Sequence, residues 1–195
     1  KFDFSLFREV VDKCRERGIS VIIGTPTACP PQWLANKHPE IFAVAIDGTH
    51  QTIGGRRDVC PGSEVYLKYC DRIVEEMAKE FGRDDNVIGW QIDNEIEPER
   101  GNLGAMGCTC DECEKRFREY MKKQYDGDIA ALNREWGTGV FSLRYRSFDD
   151  LRKPSPRVWA HPSYNFWWIK FQNDAQLDFI RRQREIIAKY SCLLY

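Results

Sequence analysis

Hydrophobic positions along this chain recur with two different periods, which predicts helices that alternate with short strands. Apolar residues return every three or four positions in several segments, so we expect helices over residues 3–17, 63–81, 111–125, 128–135 and 163–190. Two short apolar runs, 19–25 and 87–92, predict strands, and the first has the pattern of a parallel strand buried on both faces. A short helix is expected after Pro30 and Pro31, while residues 39–62 and 96–107 are expected to form loops.

The order of these elements indicates an α/β fold. Strands separated by helices imply parallel pairing with helical crossovers. Two strands cannot form a sheet that is covered on both faces, and a barrel of eight β/α units needs roughly 250 residues. Because the chain has 195 residues and does not begin with Met, we expect further strands on both sides of it and a missing natural N-terminus. Asp3 or Ser5 is expected to cap the first helix, and Ser63 the helix that ends near Phe81.

Composition and charge exclude several classes of protein. The chain is 42% hydrophobic and 30% charged, which is typical of a globular protein. No stretch approaches 18 apolar residues, so no membrane-spanning helix is expected. A net charge of −1 offers no electrostatic attraction to nucleic acid or anionic lipid. Three of the eight cysteines lie within six residues of each other, which favours a cytoplasmic protein with one metal cluster over a secreted disulfide scaffold.

Polar residues follow the second predicted strand directly, in the order Asp93, Asn94, Glu95. In α/β barrels the catalytic groups lie at the carboxyl ends of the strands. A carboxylic acid at such a position can protonate a glycosidic oxygen, and a neighbouring amide can bind the sugar 2-hydroxyl. The pattern therefore indicates glycoside hydrolysis, although an Asn-Glu pair is also common in solvated turns.

Several motifs resemble those of the glycoside hydrolase family 42 β-galactosidases, in the same order and spacing. Residues 24–34 (GTPTACPPQWL) resemble the third-strand segment of that family, and residues 89–95 (GWQIDNE) resemble its fourth strand. Residues 56–61 (RRDVCP) resemble the loop between them, and 131–133 (ALN) with 136–138 (WGT) also match. The resemblance implies a partial (β/α)8 TIM barrel covering roughly the third to fifth β/α units, with residues 1–195 forming a fragment of one catalytic domain.

The resemblance also implies a reaction and the residues that carry it. The family consists of retaining β-galactosidases, which hydrolyse terminal β-D-galactosyl residues. Glu95 then corresponds to the general acid/base, while Asn94 and Arg56 bind the galactosyl unit. The family's nucleophile is a Glu on the seventh strand, outside this chain, so we expect the fragment alone to be inactive. The alternatives are a barrel glycosidase of another specificity, such as an α-L-arabinopyranosidase or a β-mannanase-like enzyme, or a non-catalytic zinc-stapled interaction module.

The cysteine cluster at residues 108–113 has the spacing C-x-C-x-x-C, which lets three thiolates bind one tetrahedral ion. By resemblance to the family, the fourth ligand is Cys60, and the complete ligand set is Cys60, Cys108, Cys110 and Cys113. Four sulfur ligands favour Zn²⁺ and leave no open coordination position, so a structural role is expected. Free buried thiols and a redox pair are the alternatives. The remaining cysteines are expected to lie in the core or to have no particular role.

Features of the second half of the chain concern assembly and specificity. Around Trp136 and Phe141 the chain resembles a segment that lies near a subunit interface in the family, which implies a homo-oligomer, a trimer by resemblance. Many relatives have Trp in place of Phe141, so direct sugar contact from this position is in doubt. The loop after Glu95 is a few residues longer than usual, which bears on the aglycone accepted. Most of the six tryptophans are expected to pack in the core or at subunit contacts.

Overall fold

The computed structural model describes residues 2–96, 101–156 and 161–191. Helix α1 (Ser5–Glu16) leads into strand β1 (Val21–Gly24), and the short helix α2 (Gln32–Lys37) follows. The long helix α3 (Glu64–Phe81) precedes strand β2 (Val87–Gln91). Three more helices complete the described part of the chain: α4 (Asp111–Gln124), α5 (Ile129–Trp136) and α6 (Pro162–Ile187). The predicted order of helices and strands is thus confirmed, with element ends shifted by a few residues.

The two strands pair in parallel, with Ile23 opposite Trp90 and Gly24 opposite Gln91. Only one face of this pair is covered. Ile23 and Trp90 are buried against α1, α3 and α6, whereas Ile22 is 63% exposed and Ile88 is 56% exposed. The prediction that β1 is buried on both faces was therefore wrong for this chain. The described helices pack on one side of the pair, and the apolar residues on the other side have no covering element in the part of the chain described.

Local sequence explains where most helices begin and end. Ser63 caps α3 by accepting a hydrogen bond from the Tyr66 backbone N–H at 3.3 Å. At the start of α1 the N-cap position is occupied by Phe4, which makes no side-chain cap. Asp3, one residue before the N-cap, accepts a hydrogen bond of 3.0 Å from the N–H of Ser5, the first residue of the helix. Neither Asp3 nor Ser5 therefore occupies the predicted N-cap position, although Asp3 satisfies the first backbone N–H of α1. The apolar stripe of α1 is only partly used, because Val11 is buried while other members remain exposed.

Two of the predicted loops contain regular structure. The segment 39–62 includes a 3₁₀ turn at Pro39–Ile41 and an antiparallel bridge between Phe42 and Val59. A second 3₁₀ turn, Gly101–Met106, lies in the segment 96–107. The 3₁₀ turns are closed by local hydrogen bonds, such as that of 3.1 Å from the Gly107 N–H to the Gly104 carbonyl, and are too short to produce a periodic pattern. The bridge joins residues distant in sequence, which local periodicity does not report. Residues 97–100 and Trp159 lie outside the described residues.

The apolar core consists of three clusters joined by α3 and α6. The largest surrounds Phe117 of α4, whose ring contacts those of Tyr164, Trp168 and Phe171 at centroid distances of 5.6, 4.8 and 5.6 Å. The second lies behind the strands and the third under α2. Trp90, Trp136 and Trp168 are buried as predicted, whereas Trp33 is 57% exposed. No helix among the described residues is long and apolar enough to span a membrane.

Candidate active site

The candidate site lies at the carboxyl ends of β1 and β2, which meet at one edge because the strands are parallel. A third segment, the loop before Cys60, reaches this edge and is attached to it by a backbone hydrogen bond of 2.7 Å from the Arg57 N–H to the Ala28 carbonyl. Within this loop the Gly55 N–H donates a hydrogen bond of 3.0 Å to the Asp58 carboxylate. Residues far apart in sequence are thereby brought to one rim.

Arg56 and Glu95, both predicted as site residues, form an ion pair at this rim. The Arg56 Nη2 atom lies 2.7 Å from Glu95 Oε2, and the two side chains are 53% and 56% exposed. An ion pair this exposed contributes little to stability. The pair gives the rim a carboxyl group that solvent and a ligand can reach.

Asn94, the third predicted site residue, immediately precedes Glu95 in the turn that follows β2. Its Oδ1 atom accepts a hydrogen bond of 3.2 Å from Gln91 Nε2. Its Nδ2 atom is buried and has no hydrogen-bond partner within the ranges that the structure describes. A buried polar donor without a partner is unfavourable, and a ligand hydroxyl would satisfy it.

Beneath the rim lies a buried ion pair that sequence reasoning did not assign to the site. Arg57 Nη1 contacts Asp93 Oδ1 at 2.6 Å, and the two side chains are 7% and 0% exposed. The other guanidinium nitrogen, Nη2, donates to Gln176 Oε1 of α6 at 2.5 Å. Asp93 was visible in the strand-end motif and Arg57 in the Arg-Arg pair. Gln176 carried no local signal, because only helix packing brings it to this pair.

Asp93 is hydrogen-bonded through both its backbone and its carboxylate. Its backbone N–H donates to the Thr25 hydroxyl at 2.8 Å, and its Oδ2 atom accepts from the Thr27 hydroxyl at 2.8 Å. The Asn94 backbone N–H donates to Oδ1 at 2.6 Å. Asp93 and Glu95 both have left-handed backbones, with φ of 59° and 47°, a conformation that non-glycine residues adopt at an energetic cost. The buried contacts therefore hold a strained turn that ends at Glu95.

No second catalytic carboxylate can be assigned from the described residues. Glu97 and Glu99 lie outside them. Glu135 belongs to α5, where its carboxylate accepts a hydrogen bond from the Tyr125 hydroxyl at 2.7 Å. Asp93 is close in sequence to Glu95, but it is buried and already paired with Arg57. The site as described contains one exposed acid, one amide and one arginine.

The four predicted metal ligands come together in a separate cluster. The Sγ atoms of Cys60, Cys108, Cys110 and Cys113 all lie within 4.8 Å of one another. Tetrahedral zinc with bonds of about 2.3 Å places its sulfur ligands about 3.8 Å apart. The Cys60 and Cys110 sulfurs are separated by 3.8 Å, and those of Cys60 and Cys113 by 3.4 Å. The cluster therefore has the size and donor type that a zinc ion requires.

The four thiols shift one another's pKa values because they lie so close together. Hydrogen bonds from Cys108, Cys113 and Cys60 lower the pKa of Cys110, whereas contacts with Cys108 and Cys110 raise the pKa of Cys60 well above its usual value. Thiolates this close repel one another unless a cation lies between them, and three of the four cysteines are buried. The 3.4 Å separation of Cys60 and Cys113 also far exceeds a disulfide bond of about 2.05 Å. The arrangement fits a divalent cation better than a disulfide.

Backbone contacts connect the cluster with its surroundings. The Val44 N–H donates to Cys108 Sγ at 3.4 Å, and the Cys113 N–H donates to Cys110 Sγ at 3.4 Å, which also caps α4. Gln172 of α6 donates through Nε2 to the Cys108 carbonyl at 2.8 Å. Because Cys60 follows the Arg56–Arg57 loop, the cluster joins that loop to the chain that returns from Glu95.

Comparison with known proteins places the chain in a family. The family model described as "Glyco_hydro_42: Beta-galactosidase" matches residues 1–194. The chain belongs to the glycoside hydrolase family 42 β-galactosidases. Among curated family members, β-galactosidase BgaA of a Thermus species is 35% identical over 192 residues, which is 98% of this chain and 29% of that protein. β-Galactosidase Bga of Halorubrum lacusprofundi is 34% identical over 189 residues, which is 96% of this chain and 26% of the relative.

Solved structures of the family have the same fold as this chain. β-Galactosidase from the psychrophilic Marinomonas ef1 has a TM-score of 0.89 and 32% identity, covering 98% of this chain and 28% of its own. The polyextremophilic β-galactosidase of Halorubrum lacusprofundi has a TM-score of 0.89 and 33% identity, with the same coverage. The chain therefore spans less than a third of the relatives it matches. The family assignment and the partial barrel expected from the sequence are both confirmed, and the described elements form an open part of the barrel rather than a closed one.

Proposed function

We propose that this chain is the acid/base portion of a retaining β-galactosidase that hydrolyses terminal β-D-galactosyl residues. The observation that carries the proposal is the ion pair of 2.7 Å between Arg56 and Glu95 at the rim formed by the two strand ends. Membership of the family supports the substrate class. Because the family match runs over the whole chain and not only around the cysteines, an enzyme is favoured over a zinc-stapled interaction module.

Glu95 acts as the general acid and then as the general base. In its protonated form it donates a proton to the leaving glycosidic oxygen, and as a carboxylate it later takes a proton from the attacking water. The exposed position of its side chain allows both exchanges. The nucleophile is a second carboxylate that must approach within about 5 Å, and it belongs to a part of the protein outside this chain. The chain alone is thus expected to have no turnover.

Asn94 and Arg56 hold the galactosyl unit. The buried Asn94 Nδ2 atom is positioned to donate to a sugar hydroxyl, since within the described structure it has no other acceptor. Contacts to the 2-hydroxyl strengthen as the transition state forms, so Asn94 contributes to kcat as well as to binding. Arg56, which lies 2.7 Å from the carboxylate of Glu95, donates to a further oxygen of the sugar.

Glu95→Gln in the full-length protein tests the assignment of the acid. Loss of the proton donor should strongly reduce kcat/KM for an alkyl β-galactoside, whose leaving group needs protonation, and should spare a dinitrophenyl β-galactoside, whose leaving group does not. Glu16→Gln is the matched control, because Glu16 is 73% exposed on α1 and is expected to leave both values unchanged. Equal values for Glu95→Gln and the parent on both substrates would remove Glu95 from the acid role.

Sugar specificity is tested with a panel of substrates. We expect β-D-galactosides to be hydrolysed faster than α-L-arabinopyranosides or β-mannans. Arg56→Met is expected to raise KM for the galactoside more than it lowers kcat, because it removes a binding group rather than the acid. Faster hydrolysis of an arabinopyranoside or mannan by the parent enzyme would assign the barrel to a different specificity.

We further propose that Cys60, Cys108, Cys110 and Cys113 bind one structural Zn²⁺. The donor set and the separations between sulfur atoms support a closed tetrahedral site. Its role is to fix the loop that carries Arg56 relative to the chain that follows Glu95. Cys110→Ser is a sharp test, because serine is a good N-cap and preserves the cap of α4 while removing the thiolate.

Elemental analysis of purified protein measures the outcome. We expect about one zinc per chain in the parent and in Cys14→Ser, a control that alters a partly buried cysteine of α1, and a much lower content in Cys110→Ser. Unchanged zinc in Cys110→Ser would refute the ligand assignment.

Three further features of the whole protein belong to the same proposal. Residues 1–195 belong to a single barrel domain, with residues 108–113 as its metal-binding loop. The protein assembles as a homo-oligomer, a trimer by resemblance, and the exposed side chains of Val140 and Phe141, 57% and 76% accessible, lie in the segment expected at the interface. A cytoplasmic location is supported by the cluster of reduced thiols. Light scattering on the full-length protein measures the assembly, and a monomeric mass would contradict it.

A further inference from the structure

Arg56 and Arg57 are neighbours in sequence, but the structure gives them opposite environments. Arg56 extends to the exposed Glu95, whereas Arg57 turns inward to the fully buried Asp93. The left-handed backbone of Arg57, with φ of 62°, accompanies this change of direction. Beyond the end of β2, the two acids differ in the same way, since Asp93 is buried and Glu95 is exposed. Two short segments therefore meet through two parallel ion pairs, one exposed and one buried.

The buried pair is restrained from several sides. Gln176 accepts from the Arg57 guanidinium at 2.5 Å, and the ring of Phe179, one turn further along α6, lies 5.9 Å from the guanidinium carbon. Thr27 donates to Asp93 at 2.8 Å from the end of β1. Helix α6 and strand β1 thus fix the pair between them, and neither partner is accessible to a substrate.

Asp93 transmits this restraint to the catalytic turn. Its carboxylate accepts a hydrogen bond from the Asn94 N–H at 2.6 Å, and its own N–H is held by Thr25 at 2.8 Å. Both peptide groups immediately before Asn94 are therefore fixed. The direction of the Asn94 and Glu95 side chains depends on these peptide groups, because the backbone at Glu95 is itself left-handed and would relax if released.

We propose that Arg57 and Asp93, with Gln176 behind them, are positioning residues that set the orientation of the acid/base Glu95; this inference rests on the proposed function. Neither residue touches the substrate. Arg57 and Asp93 act by aligning the carboxyl group of Glu95 with the leaving oxygen. This alignment matters most for substrates whose leaving oxygen must be protonated. A displacement of about 1 Å in such an alignment can reduce the rate about 100-fold.

Asp93→Asn in the full-length enzyme is the primary test. It removes the charge that holds Arg57 but keeps the shape of the side chain. We expect kcat/KM for an alkyl β-galactoside to fall about 100-fold, and kcat/KM for a dinitrophenyl β-galactoside to fall far less. A purely structural role would reduce the amount of active enzyme and lower both values by the same factor, and that result would overturn the proposal.

Asp71→Asn is the matched control. Asp71 of α3 forms a bidentate pair with Arg182 of α6, with distances of 2.7 and 2.5 Å, and within the described residues it is not hydrogen-bonded to the catalytic turn. Asp71→Asn breaks an Arg–Asp pair of similar geometry between two core helices, although this pair is more exposed, with side chains 42% and 27% accessible. We expect the ratio of the two kcat/KM values to stay at the parent level in Asp71→Asn. The same change of ratio in both variants would also overturn the proposal.

Gln176→Met decides the question if Asp93→Asn does not fold. Methionine keeps the volume of glutamine and removes the acceptor for Arg57, so a smaller change of the same ratio is expected, and an unchanged ratio would count against the proposal. Glu95→Gln separates this inference from the proposed function. If Glu95→Gln shows no dependence on the leaving group, the acid assignment fails. If kcat/KM of Glu95→Gln depends on the leaving group, but kcat/KM of the folded Asp93→Asn and Gln176→Met variants does not, only the positioning role fails.

Discussion

Breaking the buried Arg57–Asp93 pair should make local unfolding at the end of β2 easier, and the structure allows the change in free energy to be estimated. At a separation of 2.6 Å, the attraction between unit charges is about 6 kcal/mol at an effective dielectric constant of about 20. Much of this attraction offsets the cost of removing both groups from water. Arg57→Met leaves Asp93 buried without its partner, and losses of about 3–5 kcal/mol are typical of that change.

Hydrogen exchange of a peptide that spans β2 and the following turn, measured by mass spectrometry on the full-length protein, reports this local free energy. A loss of about 3–5 kcal/mol corresponds to exchange that is roughly 100- to 4000-fold faster. A double-mutant cycle isolates the pair. Arg57→Met with Asp93→Asn should cost less than the sum of the single changes, by about 2 kcal/mol, because neither charge is then left alone. Additivity within about 0.5 kcal/mol would refute the reasoning.

Three further predictions concern stability away from the rim. Phe117→Ala should destabilise the cluster around α4 by about 3–5 kcal/mol, since Phe117 is fully buried among aromatic rings. Urea denaturation measures this loss, and an unchanged free energy of unfolding would contradict it. Asn133→Leu should cost about 1–3 kcal/mol, because its Oδ1 atom accepts from the Tyr145 N–H at 3.0 Å and its Nδ2 atom donates to the Tyr145 carbonyl at 2.7 Å; urea denaturation compares it with the parent. Hydrogen bonding from the Ala131 N–H lowers the pKa of Asp128 below 3.8, so its stabilisation of α5 is complete above pH 3.8 and is lost as the pH falls through the lowered pKa. Stability measured against pH should therefore decline less steeply in acid for Asp128→Asn, and parallel curves would contradict the assignment.

Prediction from sequence succeeded where short-range order decides the outcome. Ser63 caps α3 as predicted. The helix predicted over residues 128–135 is found as α5, which the structure shows to be capped by Asp128 and ended by Gly137 in the left-handed conformation with φ of 63°. These features depend on a few adjacent residues. The N-cap of α1 was predicted wrongly, because Phe4 occupies that position and Asp3 bonds the N–H of Ser5 from one residue further back. The prediction that β1 is buried on both faces failed for another reason, since a run of apolar residues does not show which partners cover it.

The sequence by itself determined the order of helices and strands, the residues that could serve as acid, amide and metal ligands, and the family to which the chain belongs. Tertiary structure decided which of two adjacent arginines meets Glu95 and which meets Asp93. It also brought Cys60 to the cysteines of residues 108–113 and Gln176 to Arg57. The physical reason is that helix caps and strand patterns are set by neighbours in sequence, whereas the direction of a side chain at a left-handed turn and the partner of a buried charge are set by packing between distant segments.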